Sequence, residues 1–346
     1  MFPLWAVASD KWSLAASAID LELKEPFSIA TETWDVARNV FVTVRHGAHR
    51  GRGEVGPDAR WGESPESVVR ALESLDLSRL RGAFDLETSR KLLGPGAARC
   101  ALDIALHDLA AQTAGVSVAE LLGCGGRPLP PTSVTVAITD LDSMLRRAEA
   151  LRDHPVLKIK VGFEGDVEVV RSIRSVYEGA LRIDANEGWP AGEAADRLQA
   201  LEGYDIELCE QPIARGDREG LARVTASTSI PVFADEDVAT AEDVARLAGV
   251  VDGVNVKLRK AGGPREAVKA IATARAHGMG AMLGCDLESG IAATAEASLA
   301  CLVDFADLDG PLLLAEDPFP GVTYDRGQMA LPPGPGLGVR GWPHDD

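Results

Sequence analysis

From about residue 132 the chain alternates short runs of β-branched and apolar residues with stretches of helical period. The runs are SVTVAI, VLKIKVG, LRIDAN, IELCEQP, PVFADE, GVNVKL, GAMLGCD and a weaker one at FADLDG. Between them, residues 144–151, 167–177, 194–201, 219–224, 244–247 and 267–276 carry apolar positions at helical spacing. Eight β runs, mostly separated by helices, predict a (β/α)-barrel of parallel strands rather than an open sheet. A dinucleotide-binding sheet would need GxGxxG after its first strand, and none is present.

The first 125 residues are patterned differently. Residues 21–23 and 40–44 read as antiparallel strands around a turn-rich segment, and 97–114 has apolar residues at a 3.6 period. The stretch 328–339 holds Leu331 followed by PPGPGLGV, too broken for a helix. The predicted organisation is an α+β domain over 1–125, the barrel over 126–322 and a return segment over 323–346 that packs on the first domain.

A chain of 346 residues with 46% hydrophobic and 25% charged positions has material for a large core and the composition of a globular protein. Its net charge of −18 would repel phosphate backbones and anionic membrane surfaces, so neither nucleic acid nor membrane is expected as a partner. The apolar start MFPLWAVASDKW is interrupted by Asp10 and Lys11 before a signal-peptide core could form. No apolar run approaches the roughly 18 to 20 residues of a membrane span. Five widely spaced cysteines without CxxC fit reduced thiols, so a cytoplasmic protein is expected. A homo-oligomer acting on a small molecule is expected.

In parallel barrels the reacting groups stand at the carboxyl ends of the strands. Here the second run ends in Lys158-Ile-Lys160, the third in Asp184-Ala-Asn186, the fourth in Glu210, the fifth in Asp235-Glu236, and the sixth in Lys257. Period-two alternation puts Lys158 and Lys160 on one face, the barrel interior. Charges converging on one mouth are tolerable only if they neutralise each other or hold a cation. Asp184, Glu210 and Asp235 offer an all-oxygen set suited to a hard divalent ion, with Mg²⁺ the natural candidate. The six histidines fall outside the strand ends, which disfavours zinc. Lys160 and Lys257 come from strands opposite each other across the barrel. A metal and a second lysine nearby would favour a basic lysine, and removal of a proton α to a carboxylate is the chemistry suggested.

KIKVG, LRIDANEGW, CEQP, ADED and NVKLRKAGG, in that order, resemble the enolase superfamily in its muconate-lactonizing-enzyme-like subgroup. Pro26-Phe27 with GEVGPDARWGES resembles the subgroup's capping domain. ALDIALHDLAAQTAGVSVAELLG resembles that domain's closing helices, and PGLGV its terminal strand. A lysine-or-histidine base with magnesium is the known chemistry of that superfamily. The resemblance implies Mg²⁺ on Asp184, Glu210 and Asp235, and Lys160 and Lys257 as the acid/base pair. It also implies that Lys158 polarises the substrate carboxylate, with Asn186 and Glu236 in support.

The subgroup includes cycloisomerases, o-succinylbenzoate synthases, N-acylamino acid racemases and dipeptide epimerases, which these motifs do not separate. Asp307-Leu-Asp309, after the eighth run, resembles the pattern by which dipeptide epimerases hold the free ammonium of an L,L-dipeptide. Two carboxylates at alternate positions suit a cation. The chain departs from the subgroup at Gly284-Cys285-Asp286-Leu287-Glu288-Ser289, where an acidic residue replaces an apolar one. It departs again at Glu32, in a loop where members acting on Ala-Glu often carry arginine. Asp286, Glu288 and Glu32 are therefore candidate substrate contacts, and the added negative charge argues for a neutral or cationic second residue. An N-acylamino acid racemase or o-succinylbenzoate synthase is the enzymatic alternative, and a barrel that binds without turnover is the non-enzymatic one.

Overall fold

The computed structural model describes residues 11–341, so the sequence readings over 1–10 and 342–346 lie outside the described residues. A three-stranded antiparallel sheet opens the chain: β1 (Trp12–Ser28), β2 (Thr33–His46) and β3 (His49–Val55). Its register pairs Ala18 with Val40 and Leu21 with Ala37, and slips between Glu22 and Phe27. The expected strands 21–23 and 40–44 are thus pieces of much longer ones. β3 has no apolar run to announce it, because HRGRGEV carries glycine where the neighbouring helix crosses. A Cβ on Gly51 would lie 1.9 Å from the Ala105 carbonyl oxygen, and one on Gly53 2.1 Å from that of Ala101.

That helix, Ala97–Ala114, is buried around most of its circumference. One side meets β2 and β3, and the other meets the barrel, where Arg99 donates to the Ala261 carbonyl at 2.6 Å. Within the helix, Asp108 accepts from the backbone N–H of Arg52 and of Leu337 at 2.8 and 2.7 Å. The second of these bonds ties in the return segment. After a hairpin of β12 (Thr323–Asp325) and β13 (Gln328–Ala330), Gly336 exchanges backbone hydrogen bonds with Val116 and Val118 at 2.9 Å each.

Between these lie the eight parallel strands β4 (Val134–Val136), β5 (Val156–Lys160), β6 (Ala180–Asp184), β7 (Ile206–Glu210), β8 (Val232–Ala234), β9 (Gly253–Val256), β10 (Gly280–Gly284) and β11 (Phe305–Asp307). Each falls within one of the eight runs except β6, which begins one residue earlier, at Ala180. The Ser133 N–H closes the ring by donating to the Ala306 carbonyl at 3.0 Å. In the lower interior Leu208, Phe233 and Met282 are buried together with Phe305 against them, and the buried Arg182 guanidinium lies over the Phe305 ring at 4.9 Å. Above this plug the inward positions turn polar, which sets the floor of the site.

Because β3 and the helix Ala97–Ala114 touch backbone to backbone, Gly53→Ala should destabilise the protein by roughly 1–3 kcal/mol, the cost of overpacking. Gly192→Ala, with open space around the added methyl, should not destabilise it. Urea midpoints of the two variants check this, and equal midpoints would refute the close approach.

Candidate active site

At the carboxyl end of the barrel the strands deliver Lys158, Lys160, Asp184, Glu210, Asp235 and Lys257. The first five are at most 7% exposed. So much buried charge is stable only in pairs. Lys158 Nζ lies 2.5 Å from Asp307, 2.8 Å from Glu210 and 2.9 Å from Asp184. Lys160 Nζ donates to Asp184 at 2.7 Å and to Asn186 Oδ1 at 2.9 Å. Lys257 Nζ stands 3.2 Å from Asp235 and 3.8 Å from Asp286. Burial alone would lower the Lys158 and Lys257 pKa values. The carboxylates Asp184, Asp307 and Glu210 around Lys158, and Asp235 and Asp286 beside Lys257, outweigh it and hold both well above the usual lysine range.

The carboxylates respond unequally. Lysines beside Asp184 and Asp235 overcome burial and hold both below the ordinary range. Glu210 is pushed up to about 7 by burial and then by Asp184. Its Oε1 accepts from Asn255 at 2.7 Å, whereas Oε2, fully buried, faces Lys158 without accepting a directed hydrogen bond. An under-satisfied carboxylate oxygen beside two further carboxylates is a donor set that suits a hard divalent cation. Among the described residues, no three acidic, histidine or cysteine side chains are gathered closely enough to form a metal site as they stand. The charge between Asp184 and Glu210 is instead the Lys158 ammonium.

The lysines Lys160 and Lys257 belong to strands four places apart in the eight-stranded order, on opposite sides of the barrel. Both line a half-open cavity of about 390 Å³ whose wall is completed by the N-terminal domain. Asn186 adopts a left-handed conformation, φ 41°, which asparagine tolerates better than most residues. Its amide donates to Glu236 at 3.3 Å. Glu236 is pushed up to about 8 by burial and by Asp235.

Asp307 and Asp309 also line the cavity. Asp307 is engaged on both oxygens, by Ser133 Oγ at 2.5 Å and by Lys158. Asp309 accepts from the Thr135 N–H at 2.7 Å, and burial followed by the charge of Asp307 pushes it up to about 6. Glu32 lines the rim with no ion pair among the described residues. It stands with an apolar wall of Phe27, Ile29, Trp34, Leu287 and Leu313.

Lys158, expected to polarise a substrate carboxylate, lines the cavity with three carboxylates within 3 Å of its nitrogen. Two expectations are corrected. Asp286 lines the cavity but adds no free negative charge, since Arg259 donates to it at 2.6 Å. Glu288 is not among the cavity-lining residues; it is buried beside Glu296, and burial and that neighbour raise its pKa well above the usual range.

Two groups went unread in the sequence. Lys260, a turn beyond Lys257 in NVKLRKAGG, donates to the backbone oxygen and the carboxylate of Asp235. Arg60, in GPDARWGES, reaches from the N-terminal domain to Glu236 at 3.5 Å. Both stood inside quoted motifs, but off the strand ends.

Residues 14–123 match the family described as mandelate racemase / muconate lactonizing enzyme, N-terminal domain, and residues 143–341 match the enolase C-terminal domain-like family. The chain is 36% identical to an L-Ala-D/L-Glu epimerase of Bacteroides thetaiotaomicron over 92% of its length and 85% of the relative's. It is 35% identical to a hydrophobic dipeptide epimerase of Roseobacter litoralis, covering 90% of the chain and 94% of the relative. The fold superposes with a TM-score of 0.89 on a dipeptide epimerase from Enterococcus faecalis V583 complexed with Mg and the dipeptide L-Leu-L-Tyr, at 33% identity, covering 94% and 98% of the two chains.

Burial pushes Glu296, beside Glu288, up to about 8. A carboxyl raised in the folded state stabilises below its unfolded value near 4.5, and that contribution is lost as pH rises through the folded value. Glu296→Gln should therefore raise the melting midpoint relative to wild type at pH 8.5, with the gain shrinking towards pH 5. Melting curves across that range check it; a constant difference would contradict the assignment.

Proposed function

Because the chain belongs to the mandelate racemase / muconate lactonizing enzyme family of the enolase superfamily, we propose that it is an isomerase that epimerises L,L-dipeptides to L,D-dipeptides at the second residue. The observation that carries this reading is the pair of lysines on opposite sides of one cavity whose wall also presents Asp309. Lys160 and Lys257 each face one side of the α-carbon, so one removes the proton and the other returns a proton to the opposite face. Asn186 holds Lys160 in place, and Asp235 holds Lys257. Asp184, Glu210 and Asp235 are the residues that would hold Mg²⁺. The bound ion would supply positive charge to offset what builds up on the substrate carboxylate as its α-carbon is deprotonated. Asp309, whose partners are the Thr135 N–H and the weak thiol donor of Cys285 and whose pKa is raised, is the receptor for the substrate ammonium, with Asp307 behind it.

The charge of Asp286 is spent on Arg259, and Phe27, Ile29, Trp34, Leu287 and Leu313 line the cavity together with Glu32, unpaired among the described residues, so the second residue of the substrate is not acidic and is preferably hydrophobic. A substrate without an ammonium, as an N-acylamino acid racemase would take, leaves Asp309 buried without a cation.

In D₂O, Lys160→Ala and Lys257→Ala should each abolish epimerisation, while each variant still exchanges the α-proton of the one epimer that faces its remaining lysine. NMR of the α-proton reads this, and a single variant that epimerises at the wild-type rate would refute the two-base assignment. N-acetylation of L-Ala-L-Leu should lower kcat/KM about ten- to a hundredfold, the worth of one charge-assisted hydrogen bond of about 1.5–3 kcal/mol. L-Ala-L-Leu should also outcompete L-Ala-L-Glu in mixed-substrate assays. Faster turnover of the acetylated substrate would instead indicate an N-acylamino acid racemase.

A further inference from the structure

Arg259 sits two residues beyond Lys257, in the first turn after β9, and is 5% exposed. Its Nε donates to Asp286 Oδ2 at 2.6 Å, while the other oxygen of Asp286 points to the Lys257 ammonium at 3.8 Å. The far end of the guanidinium is held by the N-terminal domain: Asp58 lies at 3.4 Å and Glu63 at 3.7 Å, with the Trp61 ring 5.8 Å away. These residues form a continuous chain from the 58–63 loop, through Arg259 and Asp286, to one of the two lysines. Lys160 is reached from the same domain by a separate and longer route, from Arg60 through Glu236 and Asn186.

We propose that Arg259 and Asp286 are positioning residues for Lys257, through which the 58–63 loop of the N-terminal domain fixes the direction of that ammonium without acting on Lys160. The proposal rests on the reading of Lys160 and Lys257 as the acid/base pair. Its physical basis is that a planar guanidinium with a fixed fork of donors fixes its carboxylate partner in orientation as well as in charge. A lysine side chain has four rotatable bonds and needs such a partner to hold a near-attack geometry, and a misplacement of about 1 Å can cost about a hundredfold in rate.

The test compares α-proton exchange in D₂O, without epimerisation, starting from each of the two epimers. The two rates report the two faces separately. Their ratio is independent of how much of a variant is folded, because both scale with the same active fraction. Asp286→Asn and Arg259→Lys should each slow exchange on the Lys257 face about tenfold or more relative to the Lys160 face, and Asp286→Glu should recover part of the loss. A ratio within about twofold of wild type in both Asp286→Asn and Arg259→Lys would overturn the proposal. Failure of the underlying two-base reading looks different: the Lys160→Ala and Lys257→Ala variants would then show no face preference at all.

Discussion

Burying many charges at the carboxyl end of one barrel is the constraint on which the rest of the structure depends. An ion moved from water into a protein interior loses several kcal/mol of hydration, and only close partners offset that loss. Lys158 with its three carboxylates, Lys160 with Asp184, and Lys257 and Lys260 with Asp235 meet this condition within the chain. The balance is weakest at Glu210, where one oxygen has the Lys158 ammonium 2.8 Å away but no directed hydrogen bond. It is incomplete again at Asp309, where one backbone N–H and the weak thiol donor of Cys285 answer a buried carboxylate. Those two shortfalls are where a cation and a substrate ammonium would be received.

The apolar plug of Leu208, Phe233 and Met282 keeps this charged layer at the mouth rather than deeper in the barrel. From above, the N-terminal domain completes the wall of the cavity and contributes its own charges. Arg60 reaches Glu236, and Asp58 and Glu63 flank Arg259. The helix Ala97–Ala114, clamped between β3 and the barrel, fixes how the two parts meet. Small errors in that packing would therefore reach the reacting groups.

The alternation of apolar runs and helical segments was enough to place all eight barrel strands, because a parallel strand buried on both faces is announced by its own composition. The placement of the strand-end residues was legible for the same reason: Lys160, Asp184 and Glu210 close β5, β6 and β7, and Lys257 follows β9 directly. What escaped was set by tertiary contact. β3 lacks an apolar signature because glycine is required under the helix. The neutralisation of Asp286 depends on Arg259 being brought alongside from another strand end, which no local pattern encodes. Glu288 reads as a mouth residue by position, yet the chain turns it inward against Glu296, a partner eight residues away.

The central claim is that the carboxylates at the mouth are completed by a divalent cation. Its most direct measurement is the Mg²⁺ dependence of the unfolding midpoint in wild type, Glu210→Gln and Asp309→Asn. A ligand that binds only the folded state stabilises it by RT ln(1 + [L]/Kd), about 2.7 kcal/mol at a hundredfold excess over Kd. The account predicts a midpoint that rises with Mg²⁺ in wild type and Asp309→Asn, and a response largely lost in Glu210→Gln. A wild-type midpoint indifferent to Mg²⁺, or an undiminished response in Glu210→Gln, would contradict it.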